Sequence, residues 1–225
     1  MRNFAPRTSR FVLSGVFLAL GACGIAGAEG QNAPLPDPKI DAPLAPAGQK
    51  ATAVIAGGCF WGIQGVFSHV NGVISATSGY SGGAGNTANY ETVSTGTTGH
   101  AESVKVVYDP SKITYGQLLK IFFSVGTNPT ELNRQGPDTG TQYRSAIFAA
   151  DADQAKIARA YIAQLDGMHI YSAPIVTQVT TLNSFYPAEA YHQDYLALHP
   201  TQPYIVINDL PKVAALKATF PNLYH

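Results

Sequence analysis

The stretch ATAVIAGGCFWGIQGVFSHV, residues 51–70, contains the pattern that decides the fold. An apolar run over residues 51–56 ends at Gly57 and Gly58, which predicts a buried strand followed by a tight turn. Apolar side chains then recur at the i, i+3, i+4, i+7 spacing of one helical face, at Ile63, Val66, Phe67 and Val70. The chain therefore passes from a strand into a helix, and Cys59 falls in the first turn of that helix.

Cys59 stands between glycines and two large aromatic side chains, Phe60 and Trp61, of which Trp61 is the one tryptophan of the chain. A thiol at the start of a helix lies near unpaired backbone N–H groups and the positive end of the helix dipole. Both effects lower a thiol pKa, so the position predicts a reactive thiolate. An inert core cysteine, with the two aromatic side chains as ordinary core packing, is the alternative.

The rest of the chain alternates between the two periodicities. Strands are predicted at residues 73–77, 103–108, 145–149 and 175–179, and a glycine-rich loop at residues 79–85. Helices are predicted after the capping box Thr114–Gln117, at residues 154–165 and at residues 187–198. Strands and helices that interleave around one core predict an α+β domain, a two-layer α/β sandwich of ferredoxin-like type with a mixed sheet and helices packed on it.

Composition limits the classes of function. The chain has 225 residues, 45% of them hydrophobic and 12% charged, with a formal net charge of +0. A dedicated nucleic-acid binder needs a basic stripe, which this sequence lacks, so no nucleic-acid partner is expected. The histidines are scattered and no second cysteine lies near Cys59, so no metal site is expected.

The N-terminus has the features of an export signal over residues 1–28. Positive side chains at Arg2, Arg7 and Arg10 precede the apolar segment FVLSGVFLAL, which is shorter than the roughly 20 residues that span a bilayer. Two kinds of processing stay open. Ala26-Gly27-Ala28 fits cleavage after Ala28, whereas residues 20–23 resemble a lipobox in which Cys23 is acylated. A periplasmic or cell-envelope location is expected, with membrane attachment only if Cys23 is lipidated.

Residues 29–50 are rich in proline and alanine and are predicted to be an extended, disordered linker before a folded domain at residues 51–225. Cys23 and Cys59 are the two cysteines of the chain. Because export removes or acylates Cys23, the mature chain keeps one unpaired thiol. An unpaired cysteine in an exported protein favours a reactive role for Cys59.

An ordered series of motifs resembles the peptide methionine sulfoxide reductase type A family, in a single-cysteine form. The motifs are GCFWG at residues 58–62, GYSGG at 79–83, YETV at 90–93, GHAE at 99–102, RQGPD at 134–138 and GTQYRS at 140–145. One such motif is weak evidence, but the ordered series is specific and covers most of residues 51–204.

The resemblance implies a role for each matching residue. Cys59 would attack the sulfoxide sulfur, and Glu102 would protonate the departing oxygen. Tyr90 and Tyr143 would hydrogen-bond that oxygen. At the substrate-binding positions, Phe60 and Trp61 would form an apolar wall for the methyl group, and Asp138 would add polar contacts. From the sequence alone, Glu102, Tyr90, Tyr143 and Asp138 also fit solvated or turn positions.

The chain departs from the family pattern in three places. Gln64 replaces a common Glu, and Thr127-Asn128-Pro129 replaces a common His-Asp-Pro. The C-terminal residues 211–225 contain none of the resolving cysteines that many relatives have. The resemblance therefore implies that a Cys59 sulfenic acid is resolved by an external thiol, such as a thioredoxin-like protein or a small thiol. It also implies that the enzyme uses no cofactor.

The expected function is reduction of methionine-S-sulfoxide, free and in oxidised proteins and peptides, by a monomer. Two alternatives stay open, a one-cysteine peroxidase and an envelope thiol redox sensor. His100 is expected to orient the loop before Glu102 or to cap a turn. His192 and Asp194 are two residues apart, so they point to different helix faces and favour a structural role.

Overall fold

The computed structural model describes Met1 and residues 34–225. The predicted export signal, with Cys23 and the cleavage site after Ala28, lies outside the described residues apart from Met1. Residues 29–33 of the predicted linker lie outside them as well. Within the described part, no helix combines the length and the apolarity needed to cross a membrane.

The described residues contain eight strands and six α-helices. The strands are β1 (Ala51–Gly57), β2 (Val73–Ser81), β3 (Ala101–Tyr108), β4 (Arg134–Gln135), β5 (Asp138–Thr139), β6 (Ser145–Ala149), β7 (Gln178–Thr181) and β8 (Phe185–Pro187). The helices are α1 (Phe60–Ser68), α2 (Tyr90–Val93), α3 (Tyr115–Ile121), α4 (Ala152–Gly167), α5 (Tyr195–Leu198) and α6 (Leu210–Thr219). Two π-helical turns, Phe122–Gly126 and Ile205–Asp209, follow α3 and precede α6.

Six strands form one mixed sheet in the order β7-β6-β1-β3-β2-β8, and β4 pairs with β5 separately. Neighbouring strands of the large sheet are antiparallel except β6 and β7, which are parallel. The predicted mixed sheet with helices packed on it is confirmed at this level. The sheet places the start of β3 beside the end of β1, where the chain turns into α1.

The alternation of β1 divides its side chains between two apolar clusters. Ala53 and Ile55 belong to the large core that also contains side chains of α1, α3, α4 and α6. Val54 and Ala56 face the other way and pack with Phe148 of β6 in a smaller cluster. This is the two-residue period of a strand buried on both faces, and it explains the continuous apolar run that the sequence shows.

The two glycines after β1 are required by the turn. Gly58 has a φ of 95°, a left-handed conformation that other residues adopt at a cost, and a Cβ there would lie 2.6 Å from Gln135. A Cβ on Gly57 would lie 2.7 Å from the Phe122 ring. The absence of both side chains lets the chain reverse tightly, so that α1 begins directly beside β3.

Three predicted boundaries need correction. Gly79 and Ser81 belong to β2, because they pair with both β3 and β8, and the glycine-rich loop begins after them. The strand predicted at residues 175–179 begins at Gln178. The helix predicted at residues 187–198 is broken by Asp194, whose φ of 53° is left-handed and leaves a 3-10 turn on one side and α5 on the other.

The described part of the predicted linker is an ordered N-terminal arm (residues 34–50), which corrects the expectation of disorder there. The arm has no regular secondary structure, yet Leu35 packs against the core. The Tyr161 hydroxyl donates to the Pro36 carbonyl at 2.8 Å, and the Lys39 N–H donates to Gln164 Oε1 at 2.8 Å. The proline-rich composition therefore produces an extended segment that α4 holds in place.

The arm also contributes to the start of α3. The predicted capping box is confirmed, with Thr114 as the N-cap and reciprocal bonds to Gln117. Asp41 of the arm accepts a hydrogen bond from the Gly116 N–H at 2.8 Å and another from the Thr114 hydroxyl. A carboxylate at a helix N-terminus is favourable, because it satisfies free N–H groups and meets the positive end of the dipole.

We expect Asp41→Ala to lower the free energy of unfolding of the full chain by about 1–2 kcal/mol, because two N-terminal bonds of α3 are lost. Urea denaturation followed by circular dichroism measures it. The matched control is Asp37→Ala, which removes a carboxylate that is 82% exposed and pairs with Lys120. An exposed pair is worth about 0–1 kcal/mol. Equal effects of the two substitutions would contradict a capping role for Asp41.

Candidate active site

One cavity of about 280 Å³ opens where β1 turns into α1. All seven residues that the sequence analysis selects as catalytic or substrate-binding line it, together with two that it does not select. The lining residues are Cys59, Phe60, Trp61, Tyr90, Glu102, Asp138, Tyr143, Gln202 and Tyr204. They come from six separate parts of the chain, so the fold brings together what the sequence spreads over residues 59–204.

Cys59 is the N-cap residue of α1, immediately before its first turn, and 7% of the residue's surface is exposed. The sequence predicts a lowered thiol pKa from the helix start, and the structure contradicts this. Burial raises the pKa of the Cys59 thiol well above its ordinary value, and the nearby charges of Glu102 and Asp209 raise it further. The backbone N–H of Trp61 and the charge of Lys212 act in the opposite direction but are weaker. The resting site therefore contains a protonated thiol.

Glu102 lies near the start of β3, with 3% of its surface exposed. Its Oε2 accepts a hydrogen bond from the Phe60 N–H at 3.0 Å, which fixes the carboxyl group at the first turn of α1. Burial raises the pKa of Glu102 to about 8, and the charges of Asp138 and Asp209 add to the rise. Glu102 is therefore protonated at neutral pH and able to donate a proton.

Tyr90, the first residue of α2, and Tyr143, the last residue of the 3-10 turn Thr141–Tyr143, bring two phenol groups to the cavity. Burial, followed by the charge of Glu102, raises the pKa of both, so both are hydrogen-bond donors at neutral pH. Tyr90 opens α2, where Asn89 caps the helix by accepting from the Thr92 N–H at 3.1 Å. The Tyr90 N–H donates to Glu189 Oε1 at 2.9 Å, which anchors α2 to the segment before α5.

Phe60 and Trp61 form an aromatic wall. The Trp61 ring stacks on Tyr195 at a centroid distance of 3.9 Å and meets Tyr204 edge-on at 5.9 Å. Its indole N–H donates to His192 Nδ1 at 3.2 Å. Burial lowers the pKa of His192, which keeps its Nδ1 available as an acceptor. His192 thus has the structural position that the sequence favours, and it holds the wall in place.

Tyr204 and Gln202 are the lining residues that sequence reasoning missed. The Tyr204 hydroxyl donates a hydrogen bond to Asp138 Oδ2, so Asp138 is oriented by a residue 66 positions away. Gln202 Oε1 accepts from the Ile205 N–H at 3.0 Å. No periodicity links either residue to the cavity, because Gln202 lies in a bend after α5 and Tyr204 in the short helical stretch that leads into the π-helical turn.

Two of the departures from the family pattern lie in α1 and beside the turn that precedes it. Gln64 is buried, accepts from the Ser78 hydroxyl at 3.0 Å and donates to the Ala76 carbonyl at 3.0 Å. An amide satisfies both partners, whereas an ionised carboxylate offers no donor. In the loop that begins at Thr127, the Asn128 N–H donates to Gln135 Oε1 at 2.6 Å, which ties this loop to β4.

His100 links the glycine-rich loop to the start of β3. Its Nδ1 accepts from the Gly83 N–H at 3.2 Å, and its Nε2 donates to the Ala84 carbonyl at 3.0 Å. Arg144 donates to the carbonyls of Gly99 and His100 at 2.9 and 3.0 Å. These contacts fix the segment that carries Glu102.

Within residues 34–225, no three histidine, cysteine, aspartate or glutamate side chains are grouped so that they could hold a metal ion. The cavity instead combines a thiol, a protonated carboxyl group, two phenols and an aromatic wall. Such a set suits attack on a polarised centre whose oxygen atom must be protonated as it leaves.

Comparison with known proteins gives a consistent result. A family model described as peptide methionine sulfoxide reductase matches residues 51–223. Peptide methionine sulfoxide reductase MsrA 2 of Mesorhizobium japonicum is 64% identical over 185 residues, covering 82% of this chain and 94% of that protein. The Synechocystis protein of the same name is 49% identical over 188 residues, covering 83% and 88%.

Solved structures agree as well. Reduced Mxr1 from Saccharomyces cerevisiae superposes with a TM-score of 0.62 at 31% identity, covering 73% of this chain and 92% of that one. Methionine sulfoxide reductase A of Corynebacterium diphtheriae superposes with a TM-score of 0.59 at 35% identity, covering 76% and 85%.

Proposed function

The chain belongs to the peptide methionine sulfoxide reductase family, and from this we propose that it reduces the S epimer of methionine sulfoxide through Cys59. It is a thiol-dependent oxidoreductase that reduces methionine sulfoxide to methionine and so repairs oxidised proteins. The observation that carries the assignment of the site is the convergence of Cys59, Glu102, Tyr90 and Tyr143 on one cavity with an aromatic wall.

The wall and the polar groups define how the substrate binds. The methyl group of the sulfoxide packs against Phe60 and Trp61, whose rings offer a rigid apolar surface. The sulfoxide oxygen points to Glu102 and accepts from the hydroxyls of Tyr90 and Tyr143. Asp138, held by Tyr204, contacts the polar part of the oxidised residue. A chiral sulfur with its methyl group and oxygen directed in this way fits the cavity in one configuration.

The chemical step transfers the oxygen atom from substrate to enzyme. The sulfur of Cys59 attacks the sulfoxide sulfur while Glu102 gives its proton to the oxygen, and the thiol proton returns to the Glu102 carboxylate. The attack forms a transient S–S bond and leaves a hydroxyl group on the substrate sulfur. This hydroxyl group then passes to the Cys59 sulfur: the S–O bond of the substrate and the S–S bond break, an S–O bond to Cys59 forms, and the products are methionine and a Cys59 sulfenic acid. The sulfoxide gains two electrons and the thiol loses them.

The sulfenic acid is then reduced by an external thiol. Cys59 is the free cysteine among the described residues, and the sequence after it contains no other cysteine. An incoming thiol displaces water to form a mixed disulfide, and a second thiol releases Cys59 and leaves as a disulfide. A thioredoxin-like protein or a small thiol fits this role, with no bound cofactor.

The two alternative functions are not favoured. A peroxidase needs no wall for a methyl group, and a redox sensor needs neither the buried Glu102 nor the two phenols.

The placement of the enzyme in the cell is part of the proposal. The sequence of residues 1–28 supports export to the periplasm or cell envelope, with lipid attachment at Cys23 as the alternative to cleavage after Ala28. We also assign residues 29–50 as the segment between signal and enzyme, and residues 51–225 as a monomeric reductase domain. The strand order β6-β1-β3-β2, with α1 and α3 as connections, supports the ferredoxin-like type.

The test offers the S and R epimers of N-acetylated methionine sulfoxide amide separately to the full chain with excess dithiothreitol. We expect consumption of the S epimer and at least about a hundredfold lower rate with the R epimer. In the R epimer the configuration at sulfur is inverted, so the oxygen would face the aromatic wall and the methyl group would face the two phenol hydroxyls. Chromatography of methionine formation measures both rates. Equal rates for the two epimers would contradict the proposed orientation.

A further inference from the structure

Asp209 is a buried acid that the reaction described above does not use. It ends the π-helical turn Ile205–Asp209, and its surface is 0% exposed. Although it is the N-cap residue of α6, its side chain makes no capping bond to that helix. Its Oδ1 accepts from Lys212 Nζ at 3.3 Å, and its Oδ2 has no hydrogen-bond partner among the described residues.

The Asp209–Lys212 pair lies directly against the catalytic helix. A Cβ on Gly62 would lie 2.2 Å from Asp209 Oδ1 and 2.9 Å from Lys212 Nζ. Gly62 comes three residues after Cys59, and residues with that spacing are neighbours on one helix face. Glycine at this position therefore admits a carboxylate and an ammonium group to the side of α1 that carries the nucleophile.

Stability gives little reason to bury such a pair. Removing both charges from water costs free energy that their attraction repays only with good geometry and further hydrogen bonds. Here one carboxylate oxygen has no hydrogen-bond partner among residues 34–225, and the Lys212 side chain is 19% exposed. A costly charge pair pressed against the active-site helix indicates a role in the electrostatics of the site.

The other titratable groups around Cys59 and Glu102 do not already fill this role. They are Tyr90 from α2, Asp138 from β5, Tyr143 from the 3-10 turn Thr141–Tyr143, and Tyr204 from the segment before the π-helical turn. All of these are neutral or negative. Among the described residues that act on the thiol, Lys212 is therefore the one cation, and Asp209 is the one acid that does not line the cavity.

We propose that Asp209 and Lys212 are positioning residues for the reaction. The negative charge of Asp209 keeps Cys59 and Glu102 protonated in the resting enzyme. The positive charge of Lys212 weakens this effect and holds the Asp209 carboxylate against α1. The inference rests on the proposed function of Cys59 and Glu102. The benefit of this arrangement follows from thiol chemistry: oxidants react with a thiolate, whereas a protonated thiol resists them. The pair thus protects the nucleophile until a sulfoxide occupies the cavity.

The two members of the pair predict opposite shifts. We expect Asp209→Asn to move the midpoint of Cys59 alkylation down by about one pH unit, because a negative charge is removed. Lys212→Met moves it up by about half a unit, and the double variant lies about half a unit below wild type, as the two opposite shifts partly cancel. The probe is iodoacetamide, applied to the full chain between pH 6 and 11. Mass spectrometry of the peptide that contains Cys59 separates it from Cys23.

Matched controls are Asp153→Asn and Lys156→Met, which make the same charge changes at exposed positions of α4. If the pair is purely structural, Asp209→Asn and Lys212→Met will shift the alkylation midpoint in the same direction, or neither will differ from its control. Either outcome overturns the inference. If Asp209→Asn does not fold, the upward shift of Lys212→Met decides alone. Alkylation needs no substrate, so failure of the sulfoxide assay with the wild-type chain would be seen separately as failure of the proposed function.

Discussion

Cys59→Ser is expected to abolish reduction of methionine sulfoxide, with a loss of at least about 10³–10⁴-fold in kcat. The reaction needs an atom that can give up two electrons and accept oxygen, and a serine oxygen cannot form the equivalent of a sulfenic acid. The cavity would otherwise remain intact, since serine is close in size to cysteine. Methionine formation from the S epimer, with dithiothreitol as reductant, measures the loss.

The control for this substitution is the other cysteine of the chain. Cys23→Ser is expected to retain full activity, because the reaction takes place in a cavity that contains Cys59. Circular dichroism of both variants checks that they fold. Activity that persists in Cys59→Ser and disappears in Cys23→Ser would refute the assignment of the nucleophile.

Glu102→Gln is expected to lower kcat/KM by about 10²–10⁴-fold, the usual contribution of a positioned general acid. Glutamine keeps the size of the side chain and can still accept from the Phe60 N–H, but it has no acidic proton to give. The natural enzyme needs Glu102 protonated. Because burial raises the pKa of Glu102 to about 8, wild-type activity should fall as the pH rises through about 8.

The pH profile separates this role from a structural one. The residual activity of Glu102→Gln should lack the decline near pH 8, since the group that titrates there is gone. Glu91→Gln is the matched control, because Glu91 is an exposed glutamate of α2 beside Tyr90. A Glu102→Gln variant that keeps the alkaline decline, or a Glu91→Gln variant that loses it, would contradict the assignment.

The elements predicted best are those whose causes are local. The change from an apolar run to a helical period across Gly57-Gly58 can be recognised from residues 51–70 alone. The capping box at Thr114 can be recognised from four consecutive residues. The docking of the N-terminal arm depends on distant partners, since Asp41 and Thr114 are 73 positions apart. A proline-rich composition indicates extension but does not reveal what the extended chain contacts.

The state of the thiol shows the same limit. The helix start at Cys59 predicts a low thiol pKa from its nearest neighbours, but the pKa depends on everything that covers the sulfur. Glu102 arrives from β3 and Asp209 from the end of the π-helical turn, and burial outweighs the local dipole. One sequence signal for Asp209 exists, a single acid within the apolar segment of residues 205–210, but nothing in that segment points to α1.

The position of Trp61 in the aromatic wall makes its fluorescence a probe of the active site. Because it is the one tryptophan of the chain, the indole fluorescence of this protein originates entirely beside the catalytic thiol. Its emission is sensitive to the stacked Tyr195 ring and to the hydrogen bond with His192. The protein thus contains its own unlabelled reporter: we expect substrate entry and formation of the mixed disulfide each to alter this one spectral signal.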